Sequence, residues 1–127
     1  MPEILREHYQ LKETIVTIMA REPGQIAAAI RAIREQRAYL EDFIGCDPFF
    51  RITLEPYDLR EDGAPAIIRQ MTESSALFGI GPMASVAGAI AGYAVAAMME
   101  EGATHAVVDN GGDICILNDH PLTVGIY

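Results

Sequence analysis

Residues 105–117 read HAVVDNGGDICIL, two short apolar runs, His105 to Asp109 and Ile114 to Leu117, on either side of Asn110-Gly111-Gly112-Asp113. Both runs suit strands, and Asn-Gly is a strong hairpin signal because both residues tolerate positive φ. The plain reading is a β-hairpin. A hairpin does not, however, require two glycines in succession between Asp109 and Asp113, and glycines also let a ligand approach the backbone. On composition the stretch is open to both readings, a turn and a site.

Working outward, Glu13 to Ala20 (ETIVTIMA) has the β-branched, apolar character of a buried strand, with Glu7 to Leu11 leading into it. Pro23-Gly24 ends that segment. Ile26, Ile30, Ile33, Leu40 and Ile44 then recur at steps of three, four and seven, which predicts an amphipathic helix with Pro23 in its first turn and its end near Gly45-Cys46-Asp47-Pro48. Arg31, Arg34 and Arg37 on this helix read as a solvated face. Phe50 to Leu54 (FRITL) reads as a short strand, Pro56 to Gly63 as a polar loop, and Pro65 to Phe78 as a second helix with Ile67, Ile68, Met71 and Phe78 on one side.

Ala76 to Met99 is a run of 24 residues without a charge. Its length would span a bilayer, but Gly79-Ile80-Gly81-Pro82 interrupts it, much of it is weakly apolar Ala, and no basic cluster follows, so a buried helix from Pro82 to Glu101 stopped by Gly102 is expected instead. Ala84, Gly88, Gly92 and Ala96 form a smooth stripe suited to close packing. At the start of this helix, GIGPMAS places Gly79 and Gly81 before free N–H groups and Ser85, a geometry that suits an anion. Gly79-x-Gly81-x-x-Ala84 also fits the loose dinucleotide fingerprint, but helical periodicity rather than a strand precedes it.

Composition narrows the function classes. The chain of 127 residues has 18 acids against 9 bases, a net charge of −9, which argues against a nucleic-acid partner. The amino terminus carries Glu3, Arg6, Glu7 and His8 and no apolar signal core; with Cys46 and Cys115 isolated, the cytoplasm is the expected compartment. His8, His105 and His120 are scattered, so no metal is expected on this chain alone.

Gly88-Ala89-Ile90-Ala91-Gly92-Tyr93-Ala94-Val95, then Ala106 to Ile114, then Val124-Gly125-Ile126 resemble the succession GAIAKGYAVD, ALVNLGGDI and VGI of the ApbE superfamily, flavin transferases that attach FMN taken from FAD to Thr or Ser of a target protein. The longer stretch GIGPMASVAGAIAGYA is similar to a cytoplasmic, functionally uncharacterised prokaryotic branch of ApbE-like proteins. The family's Lys is missing where Ala91 runs directly into Gly92, its next Asp is Ala96, and its Asn falls at Asp109.

The resemblance implies one α+β domain over residues 1–127, a largely antiparallel sheet packed against helices, in agreement with strands read at 13–20, 50–54, 104–109, 113–117 and 122–127. It implies a site for FAD or FMN at Gly79, Gly81, Ser85, Asp109, Asn110, Gly111, Gly112 and Asp113. It also implies that the family's magnesium positions lie downstream of the matching region. The expectation is therefore an N-terminal half, completed by a second polypeptide half or by homo-oligomerisation, with Mg bound and FMN transfer only when completed; the alternative is a non-catalytic nucleotide-binding or structural subunit that needs a second polypeptide half.

Overall fold

The computed structural model describes residues 3–60 and 63–118. The fold is α+β, with four antiparallel strands in the order β1-β2-β3-β4. β1 is Leu5–Leu11 and β2 is Thr14–Ala20. A long helix α1, Pro23–Cys46, follows with Pro23 in its first turn, then a single-turn helix α2, Phe49–Ile52, and α3, Ala66–Ala76. A 3-10 turn, Pro82–Ser85, leads into α4, Val86–Glu100, and the hairpin β3, Ala106–Asn110, and β4, Asp113–Leu117, completes the sheet. The expected strand at 122–127 lies outside the described residues.

Period-two alternation decides which face of the sheet is covered. Val16, Ile18 and Ala20 of β2 point inward and are buried, as are Ala106, Val108 and Asn110 of β3. α1 and α4 lie against each other and against this face. Their fully buried Ala29, Ile33, Ala91, Ala94 and Met98 interdigitate with the strands, and Ile67, Ile68 and Met71 of α3 extend the same core. The segment Pro82–Glu100 has the length and apolarity of a membrane span, with mean hydropathy 1.5. Of that segment, Ala91, Ala94 and Met98 are wholly buried in the core, and 39% of its apolar window is buried overall.

Three expectations are corrected. Phe50 to Leu54 is not a strand: Phe50 is fully buried as part of α2, edge-on to Phe43 at 5.1 Å and to Tyr57 at 4.9 Å. This aromatic cluster, closed by a Tyr57 hydroxyl donating to Asp47, folds the chain into a helical corner. The stripe Ala84, Gly88, Gly92, Ala96 does not mediate close packing. Ala84, Gly88 and Ala96 are exposed, and a Cβ at Gly88 or Gly92 would meet nothing within 4 Å. Lastly, Arg37 does not belong to a solvated face; it is buried.

Candidate functional site

Arg37 occupies a core position of α1, on the same stripe as Ile33, Leu40 and Ile44, so helical geometry carries its side chain inward. A buried guanidinium needs partners. It reaches the tight β1–β2 connection, where Nη1 donates to Thr14 Oγ1 and Nη2 donates to Glu13 Oε2 at 3.0 Å and to Glu41 Oε1 at 3.2 Å. Lys12 Nζ donates to the same Glu41 oxygen at 2.9 Å. The Nε–H of Arg37 is buried without a hydrogen-bond partner. Lys12 itself has φ 53°, a left-handed backbone that non-glycine residues rarely adopt and that recurs at functional sites.

These groups line a cavity of about 510 Å³. Lys12, Glu13, Arg37, Glu41 and Arg51 supply its charges, while Leu40, Ile44, Met83, Val86 and Ile90 supply an apolar wall. Arg51 is held at the rim because α2 is pinned by the aromatic cluster around Phe50. Three cations face two carboxylates, so the lining is net positive in a chain whose net charge is −9. The cations act on the acids beside them. Glu13 is held below the usual 4.5 by its own backbone N–H, then by Arg37, with the field of Arg51 adding to it. Glu41 is lowered as well, first by the Lys12 hydrogen bond and then by that of Arg37.

Of the eight residues expected at a nucleotide site, Asn110 lines this cavity. It is the last residue of β3 on the inward face, and its Nδ2 donates to the carbonyl of Ala87 at 3.2 Å, tying the hairpin to the first turn of α4. The turn itself is Gly111-Gly112, with Asn110 paired to Asp113; it lies one residue beyond the Asn-Gly step that signalled it. Both glycines have positive φ, 60° and 99°, as a type I′ turn demands. Asp109 points to the opposite face of the sheet, where its Oδ1 accepts the Gly112 N–H at 3.0 Å. Asp113 is exposed.

The remaining three lie before α4. Gly79 ends α3, with the Ile80 N–H returning to the Ser75 carbonyl at 3.2 Å in a Schellman pattern. Gly81 is buried where a Cβ would stand 1.9 Å from the Thr53 carbonyl oxygen, and its N–H donates to Leu54 O at 3.0 Å. The Ser85 hydroxyl is bonded to that of buried Ser75. Sequence reasoning missed Arg37, although an Arg in step with Ile33 and Leu40 was a readable signal; nothing local marked Lys12 or Arg51. Among the described residues no group of three or more His, Cys, Asp or Glu stands where it could hold a metal ion.

The chain is 56% identical over 124 residues to a UPF0280 protein of Methanothrix thermoacetophila, covering 98% of this chain and 52% of that protein. It is 53% identical over 123 residues to a UPF0280 protein of Methanosarcina acetivorans, covering 97% and 48%. With one from Methanosphaerula palustris the identity is 48% over 124 residues, covering 98% and 52%. The chain thus spans about half the length of the curated relatives it matches. A family model described as AbpE bacteria matches residues 2–127, and the chain belongs to that family.

Proposed function

We propose that this chain carries a flavin-nucleotide site of the FMN or FAD type, and that the site is the cavity between the β1–β2 turn, α1 and the start of α4. The observation that carries the reading is a net-positive, half-apolar cavity of about 510 Å³ in an acidic protein. Small-molecule sites are concave, of roughly 300–1,000 Å³, and mostly apolar with a few placed polar groups. A flavin nucleotide has that division: an extended aromatic ring system and a phosphate. Leu40, Ile44, Met83, Val86 and Ile90 suit the ring, and Lys12, Arg37 and Arg51 suit the phosphate, with Arg37 already offering an unpartnered buried N–H. Asn110 adds an amide at the wall. The ApbE-like resemblance of residues 88–95 and 106–114 supports the same ligand class.

A bound flavin would supply redox chemistry or, as FAD, an FMN group for transfer to a protein hydroxyl. The transfer reading requires magnesium, whose positions the ApbE-like resemblance puts downstream of the matching region, so the part proposed for this chain's own residues is binding and orientation. The test is a titration of FMN followed by quenching of its fluorescence, repeated with Arg51→Glu and Asp113→Ala. Saturable binding weakened about tenfold by Arg51→Glu, which is about 1.4 kcal/mol, is the expected result. Absence of binding overturns the proposal. Binding that is lost in Asp113→Ala but unchanged in Arg51→Glu moves the ligand to the glycine turn.

A further inference from the structure

An antiparallel sheet with one face in water alternates apolar and polar residues, whereas strands covered on both sides are apolar almost throughout. β1 follows the first pattern, with Arg6, His8 and Gln10 outward. β2, β3 and β4 instead carry Ile15, Met19, Val107, Ile114 and Ile116 outward, with Thr17 and Asp109 as the polar residues among them. Cross-strand register aligns Met19, Val107 and Ile116 in one row of the outward face, with Ile114 beside Ile116 on β4 and Ile15 near the turn end of β2. Ile15 is 59% exposed, Ile114 47% and Ile116 38%. Ile15 stands apart, beyond Thr17 and Asp109, but Met19, Val107, Ile114 and Ile116 adjoin across the register, and a connected apolar set on one sheet face marks an interaction surface. Its boundary is defined: the Thr17 hydroxyl pairs with His8 Nδ1 at 3.0 Å where the apolar strands give way to polar β1.

We infer that this outward face of β2–β4 is a docking surface for a polypeptide equivalent to the half of the UPF0280 relatives that this chain does not span. Those relatives are about twice as long as the matched region, so each carries a further body of comparable size in the same molecule. A body tethered to the sheet meets it at high effective concentration. A second copy of this chain is the weaker occupant, because two bodies of net charge −9 repel on approach. Asp109 stands within the apolar face with one carboxylate oxygen engaged by the Gly112 N–H, which leaves the other for a donor from the docked body.

The test is co-expression of this chain with the unmatched half of the Methanothrix thermoacetophila protein, with the mass of the purified species measured by light scattering. No flavin is present, so the outcome is independent of the nucleotide proposal. A one-to-one complex is expected, and Ile114→Asp with Ile116→Asp should abolish it while circular dichroism of the chain is unchanged, since both side chains are already exposed. Arg6→Glu, on the polar strand, should leave it intact and serves as the second variant. Failure of the halves to associate, association indifferent to the β4 pair, or a homodimer that the β4 pair disrupts would each overturn the inference.

Discussion

Two tight turns lie at the same end of the sheet, and they are built on opposite principles. The β3–β4 turn is Gly111-Gly112, and its shape follows from backbone alone: two positive φ values, one Asp109 carboxylate on an N–H, and open space where side chains would be. The β1–β2 turn is Lys12-Glu13, charged at both positions, and it is held from beneath by a buried arginine of α1. The glycine turn catches the eye in the sequence. The charged one borders the cavity, with Asn110 as the link between them. A conspicuous motif can therefore be explained by conformation while the groups able to do chemistry stand beside it.

Substitutions separate the two principles by size of effect. Gly81 provides the reference for a glycine required by space, because a Cβ there would overlap the Thr53 carbonyl, a backbone atom that cannot swing aside. Gly81→Ala should cost about 3 kcal/mol in a urea titration, the upper part of the usual overpacking range. A loss below about 1 kcal/mol would mean that the 53–54 loop yields easily. Arg37→Met comes next. It keeps much of the stem but leaves the buried Thr14 hydroxyl, Glu13 and Glu41 without their shared donor, for an expected loss of about 2 kcal/mol. Restoration of parental stability in that variant would show the charged turn to be held by the strands alone.

Gly112→Ala should cost roughly 1–2 kcal/mol, the strain of an L-residue at φ 99° with no clash to add to it. FMN affinity should stay within about twofold of the parent if the ligand sits in the cavity. A large affinity loss at unchanged fold would reverse the comparison and make the glycine turn the site.

Much of the fold was legible because its elements obey one period each. Ile26 to Ile44 at helical steps and the β-branched runs in β2 and β3 place α1 and those strands within a few residues of where they stand. FRITL misled because its alternation is local, whereas the force that folds it is the packing of Phe50 against Phe43 and Tyr57. The Ala84-Gly88-Gly92-Ala96 stripe misled for a related reason: small residues permit close approach but do not compel it, and α4 turns its larger Ile90, Val95 and Met98 to the core. Asn110 was legible as a site candidate. The cavity was not, since it exists only when Lys12, Arg37, Arg51 and Met83 are brought together from four elements or loops.

The smallest expected effect is also the most specific to the charged turn. Glu13 and Glu41 both have folded-state pKa values below the ordinary 4.5, through hydrogen bonds from backbone, Lys12 and Arg37. Between the lowered value and 4.5 the unfolded chain binds more protons than the folded one, so stability rises with pH across that window. The contribution is fully present above about pH 4.5 and is lost as pH falls through the folded values. Both carboxylates are substantially exposed, which keeps the effect small through solvent screening. Urea midpoints measured from about pH 6 to pH 3 should therefore fall on the acid side for the parent, and less steeply for Arg37→Met, which removes a shared cause of both shifts. Gly112→Ala should run parallel to the parent, because it touches neither carboxylate. If the Arg37→Met and parental curves are parallel while Gly112→Ala flattens, the acid sensitivity belongs to the glycine turn and the contrast between the two turns fails.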